Sequence, residues 1–399
     1  MLRRLPPLAA LSALLLVAAC KAGGEGVVAL EGATLIDGSG GRPVTDALIL
    51  VRNGRIDAVA RVNELAIPKG AAVLNLVGKT IIPGLIDAHA HVERWAMPRY
   101  LAWGVTTVRD VHTGNDSAFV FKSDLNLGAE LGPRMFTAGA MIDGAPATYA
   151  AATAITRGDE ARRAVDQRAV AGADYLKIYT KITPELLRPL LAEADVLRLP
   201  VAAHLGKLDA ITAARAGVAS IEHMAGVVQA AARNRAAIVR AHDRFLAGWT
   251  MEEQAWSVFD SATVARTARA LAATRGALVP TLVLHEMLSR LNVPTLLERP
   301  AMIDVPFDAA SVRDVAGLLR RSGWGKGDFE AFRRSRRRQD QFVREFKRAG
   351  GLVAAGSDAS NQLLAPGASL HEELELLVAA GLTPLEAITS ATRYGAQLL

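Results

Sequence analysis

Thr80-Ile81-Ile82-Pro83-Gly84-Leu85-Ile86-Asp87-Ala88-His89-Ala90-His91 is the stretch on which the reading of this chain turns. It is an apolar run of strand length that ends in two histidines one residue apart. Alternate side chains on a strand share a face, so His89 and His91 project to the same side and can reach one metal ion. A bare His-x-His occurs by chance in many strands, so its weight depends on the rest of the chain.

Four more metal-capable side chains lie C-terminal to it, each near the end of a short apolar run. Lys177 lies in Tyr175-Leu176-Lys177-Ile178-Tyr179, His204 closes Val201-Ala202-Ala203-His204, and His223 closes Ser220-Ile221-Glu222-His223. Asp358 comes directly after Ala354-Ala355-Gly356-Ser357. The runs expected as strands are 81–92, 105–111, 134–141, 175–179, 201–205, 220–224, 277–284 and 352–356. Long Ala- and Leu-rich helical stretches separate them. Eight strand-length runs alternating with helices predict a (β/α)8 barrel over 81–399. All six residues then fall at the C-terminal ends of barrel strands, the face on which such folds assemble their chemistry. Imidazoles and carboxylates around a divalent ion are the usual means of activating a water at neutral pH. The structural alternatives are ordinary ones: a core histidine closing a strand, a lysine in a buried ion pair, an aspartate capping a helix.

Ahead of the barrel, 27–80 reads as a small β-domain of short apolar runs broken by Asp37-Gly38-Ser39-Gly40 and Asn53-Gly54. Asn-Gly between apolar runs is a strong hairpin signal. Residues 1–20 carry Arg3 and Arg4, an apolar stretch too short to span a bilayer, and Val17-Ala18-Ala19-Cys20. This resembles a bacterial lipobox, in which Cys20 is lipidated and becomes the mature N-terminus, with 21–26 as a tether. Cys20 is the only cysteine of the chain, which excludes intramolecular disulfides. Lys21 stands where an inner-membrane retention signal has aspartate. The expected location is therefore the outer membrane, facing the periplasm. The formal net charge of +6 is thinly spread. Its densest run, 333–338, is patterned as a solvated helix face and lacks the interleaved aromatics of a nucleic-acid site.

The 80–91 motif, the ordered Lys177, His204, His223 and Asp358, and Leu370-His371-Glu372-Glu373-Leu374 through Ala391-Thr392-Arg393 resemble the amidohydrolase superfamily. The resemblance is to its imidazolonepropionase-like and Xaa-Pro-dipeptidase-like branch. It implies a metal-dependent hydrolase of amide, peptide or cyclic C–N bonds acting on a small molecule such as a dipeptide or N-acyl amino acid. It implies two divalent ions, zinc by preference, held by His89, His91, Lys177, His204, His223 and Asp358. Lys177, whose ammonium would repel a metal, is implied to be carboxylated to a bridging carbamate. Asp358 is implied to contact the metal and shuttle the proton. Tyr179, His112 and His285 are candidate substrate contacts, since each follows or sits in an expected strand end.

Two other readings stay open: a mononuclear hydrolase of a cyclic C–N bond, and a degenerate ligand-binding lipoprotein. Family members continue past the final helix with strands that complete the small β-domain. This sequence stops at Leu399, so either it is a truncated copy or the N-terminal strands pack without those partners. The sequence leaves substrate, metal identity and oligomeric state open.

Overall fold

The computed structural model describes residues 26–112 and 117–399. Cys20 and the expected leader and tether up to residue 25 lie outside the described residues. Among those that are described, no helix is long and apolar enough to cross a membrane. The chain divides into two compact units, with the break between Pro83 and Gly84.

The first unit is a sheet of β1 (Val27–Leu35), β2 (Val44–Arg52), β3 (Arg55–Arg61), β4 (Ala72–Asn75) and β5 (Thr80–Ile81). Its order is β3-β2-β1-β4, with β5 also on β1. Asn53 and Gly54 join β2 to β3 with φ of 48° and 74°, the doubly left-handed turn that their pairing predicted. The first of these strands, β1, is interrupted by register shifts between Glu31 and Leu35. Ile81 pairs with Leu35, so the first expected barrel strand begins later than 81.

The second unit is α/β with parallel strands. β6 (Leu85–Ala90), β7 (Val105–Asp110) and β8 (Arg134–Thr137) form one sheet. β9 (Ile142–Gly144), β10 (Thr153–Ile155), β11 (Leu176–Ile178), β12 (Val201–Ala203), β13 (Ser220–Glu222) and β14 (Ala277–Val279) form the other. Its order is β10-β9-β11-β12-β13-β14. Nearly every residue of β6 and β11 to β14 is buried. A parallel strand flanked by helices is covered on both faces, which is why these segments read as continuous apolar runs rather than alternating ones.

The structure corrects several expected boundaries. The seventh run stops at Val279: Pro280 donates no N–H, Thr281 has φ 47°, and Leu282–Ser289 is a helix. The eighth run makes an isolated bridge, Val353 to Leu278, instead of a strand. Its backbone is still held on both sides, by Ala354 N–H to Leu278 O (2.9 Å) and Ala88 N–H to Ala355 O (2.9 Å). Gly356 allows that close approach, because a Cβ there would lie 2.7 Å from the Cβ of His89. β9 and β10 were not expected. The connection before the eighth run is helical as expected, with helices Val315–Ser322 and Lys326–Arg348. The arginine run is less solvated than its pattern implied. Arg336 is buried between Glu286 (3.3 Å) and Asp340 (2.8 Å), while Arg334 and Arg337 face solvent.

Candidate metal centre

His89 and Asp358 meet at the C-terminal ends of β6 and the eighth run. An Asp358 carboxylate oxygen, Oδ1, lies 3.1 Å from Nε2 of His89, 3.1 Å from Nε2 of His91 and 4.0 Å from Nε2 of His223. His89, His223 and Asp358 offer ligand atoms that all fall within 4.8 Å of one another, a spacing suited to one ion. Lys177 and His204 line the same cavity, of about 510 Å³. Thus the six residues singled out in the sequence come together at one cavity, three of them in a tight cluster.

The local backbone is bent to present them. His223 and Asp358 have φ of 58° and 59°, values costly for residues with a Cβ and tolerated where surrounding structure holds them. The His223 N–H bonds to the Val279 carbonyl (2.9 Å) and the Asp358 N–H to the His89 carbonyl (2.8 Å). Each strand end is thereby pinned to its neighbour.

Burial sets the protonation. His204 and His223 are pushed well below the usual imidazole range, first by desolvation and then by neighbouring cations. They are neutral bases with a lone pair to give. Desolvation brings Lys177 down to about 8. Burial alone would raise the Asp358 carboxyl, but His223, His89 and His91 together hold it well below the carboxylate range. Nε2 of His204 and Nζ of Lys177 are buried with no hydrogen-bond partner, and Nε2 of His89, 3.1 Å from the Asp358 oxygen, makes no hydrogen bond of good geometry. Orphaned polar atoms inside a protein are costly, and three aimed into one cavity fit a set of metal donors.

A second layer escaped the sequence reading. Nδ1 of His89 is 2.6 Å from Glu222, and Glu222 is 3.2 Å from Arg109 and 2.6 Å from the Ser220 hydroxyl. Arg109 in turn lies over the Tyr175 ring at 4.4 Å. Asp87 accepts the Ser357 N–H (2.9 Å) and hydroxyl, tying the residue two before His89 to the one before Asp358. Burial raises Asp87 to about 6. Nδ1 of His223 is 2.7 Å from the Thr281 hydroxyl. Glu222 and Asp87 were visible as charged residues inside otherwise apolar runs, which was the available signal.

Of the candidate substrate contacts, Tyr179 and His112 line the cavity. Burial keeps the Tyr179 phenol protonated, and it brings His112 down to about 4. His285 is elsewhere. It sits in the helix Leu282–Ser289, stacked on Trp249, with Nδ1 2.7 Å from Glu253 and Nε2 3.1 Å from the His223 carbonyl. The early end of β14 turned an expected strand-end position into an interior helical one. Trp249, Phe245 and Trp324 form apolar walls that the strand-based reading did not anticipate.

A family model described as the amidohydrolase family matches residues 80–399. The chain belongs to the amidohydrolase family. Solved structures agree on the fold. A protein from Bifidobacterium longum provisionally assigned as a prolidase is 26% identical, with a TM-score of 0.66; the match covers 94% of this chain and 83% of that one. A bottromycin amidohydrolase is 21% identical, with a TM-score of 0.70, covering 93% and 78%. A Xaa-Pro dipeptidase with methionine bound in its active site is 20% identical, with a TM-score of 0.62, covering 93% and 88%. No curated protein matches the chain. This amidohydrolase is a hydrolytic enzyme acting on C–N bonds.

Proposed function

We propose that this amidohydrolase is a metal-dependent hydrolase of a small amide or peptide substrate, a dipeptide or N-acyl amino acid. The reading is carried by one observation: buried nitrogens of His89, His204 and Lys177 without hydrogen-bond partners line the cavity that also holds His223 and Asp358. His89, His91, His204, His223, Asp358 and a carboxylated Lys177 would hold two divalent ions, zinc by preference. Such ions lower the pKa of a water and polarise a carbonyl.

The chain's own groups do the rest. Asp358, kept ionised by its imidazoles, takes the proton of the attacking water and returns it to the departing nitrogen. Asn361 holds the other Asp358 oxygen, Oδ2, at 2.9 Å, so the carboxylate stays aimed. The protonated Tyr179 hydroxyl donates toward the substrate carbonyl or carboxylate. Trp249 and Phe245 keep water from the floor. A dipeptide is favoured by the prolidase and Xaa-Pro dipeptidase among the structural relatives. A closed (β/α)8 barrel is part of the proposal, supported by Asp174 N–H to Thr137 O (3.0 Å) on one side and the contacts of the eighth run on the other. So is lipidation at Cys20 with a periplasm-facing location, which radiolabelled palmitate incorporation lost in Cys20→Ser would support.

The deciding experiment is metal quantitation on the purified protein together with a screen of dipeptides and N-acyl amino acids. Two equivalents and turnover are expected. One equivalent with turnover of a cyclic substrate alone would leave the mononuclear hydrolase, and no metal and no turnover would leave a binding protein.

A further inference from the structure

The metal-site cavity has two basic side chains besides its histidines, and they stand in opposite settings. Lys177 is buried at the floor, whereas Arg321 comes from the helix Val315–Ser322 with 57% of its side chain exposed. Arginine stays charged at any working pH, and its planar fork matches a carboxylate with two parallel hydrogen bonds. The one anion within salt-bridge distance of Arg321 among the described residues is Asp314, at 3.4 Å and itself 40% exposed. That carboxylate already caps the same helix by accepting the Gly317 N–H at 2.7 Å. An exposed pair of this kind contributes little and is readily exchanged for a better-placed anion.

Much of the cavity lining that Arg321 shares is apolar. Leu318 and Trp324, three residues to either side of it, line the cavity with it, and Tyr149, Phe245 and Trp249 complete the aromatic wall. Its charge acts on the Tyr149 hydroxyl as well. A lone permanent cation beside large apolar side chains selects for a ligand that pairs an anion with a bulky apolar group.

We propose that Arg321 is the specificity-determining anion anchor of this site, selecting substrates whose free carboxylate stands beside a bulky apolar side chain. The inference rests on the hydrolase reading of the same cavity. Turnover and binding are therefore read separately.

The test is calorimetric titration of the zinc-reconstituted full chain with N-benzoyl-L-phenylalanine and with its carboxamide. The wild type should bind the carboxylate about tenfold tighter, in keeping with a charge-assisted hydrogen bond at a partly exposed site. Arg321→Met should erase that preference and Arg321→Lys retain part of it, since a point charge remains without the fork. Equal affinity of the wild type for both ligands, or an undiminished preference in Arg321→Met, overturns the anchor. Hydrolysis of N-benzoyl dipeptides is followed in parallel. Absent turnover with the binding preference intact counts against the hydrolase reading and still supports the anchor.

Discussion

The Glu222 carboxylate lies 2.6 Å from Nδ1 of His89, a residue 133 positions earlier in the chain. A proton on Nδ1 in this contact would leave Nε2 as a lone-pair donor on the side of Asp358. Burial would raise Glu222, but Arg109 and His89 hold it low, so it is a full charge inside the protein.

Glu222→Gln should therefore weaken metal binding about 10- to 100-fold, the usual effect of removing such a partner. It should also cost about 3 kcal/mol of stability, because Arg109 loses its buried counter-charge. Chelator competition measures the first and denaturant unfolding of the metal-free protein the second. Unchanged metal affinity would mean that His89 is oriented by packing alone.

Asp358→Asn keeps the shape of the carboxyl and removes its ability to carry a proton. Turnover should fall about 10²- to 10⁴-fold, the range for loss of a general acid–base group. Metal content should stay at one equivalent or more, since the histidines remain. A loss of less than tenfold in kcat would assign the proton transfer to another group.

Lys177 links protonation to assembly. Only the neutral amine attacks CO₂, and burial brings this lysine to about 8, so roughly a tenth of it is neutral at pH 7. Reconstitution of metal-free protein with zinc should require bicarbonate and accelerate as pH rises through about 8. Lys177→Ala should retain one metal equivalent at most. Full binuclear loading of Lys177→Ala, or loading indifferent to CO₂, would exclude a carbamate.

The sequence disclosed the parts that depend on short range. Asn53-Gly54 dictates its own turn, and an apolar run ending in a histidine announces a buried strand that delivers a side chain to one end. His89, His204 and His223 could be ordered along the chain on that basis. What was hidden depends on which run lies beside which. Glu222 reaches His89, and Asp87 reaches Ser357, only through contacts between segments far apart in sequence. His285 was misplaced because Pro280 and the left-handed Thr281 end β14 early, which an apolar run through Leu284 conceals. Phe245 and Trp249 of the aromatic wall belong to a helix, and Trp324 and Tyr149 to loops, so they look like ordinary core or surface residues until their neighbours are known.

Glu373 offers a test of stability away from the metal ligands. It is fully buried, its Oε2 accepts the Val283 N–H at 2.8 Å, and its Oε1 has no partner. Desolvation raises it from 4.5 to about 8. The folded state therefore holds a proton that the unfolded chain gives up between those values. Unfolding releases that proton, so this group makes stability fall as pH rises from about 4.5 to about 8, and adds no further slope above. The full excursion is on the order of 5 kcal/mol as an upper bound, at about 1.4 kcal/mol per unit. Glu373→Gln does not titrate. Its stability relative to wild type should climb from pH 5 to pH 8 and then level off, whatever fixed cost the new amide incurs. Parallel unfolding free energies for the two proteins across that range would show that Glu373 is ionised in the folded state, with water or a cation reaching Oε1.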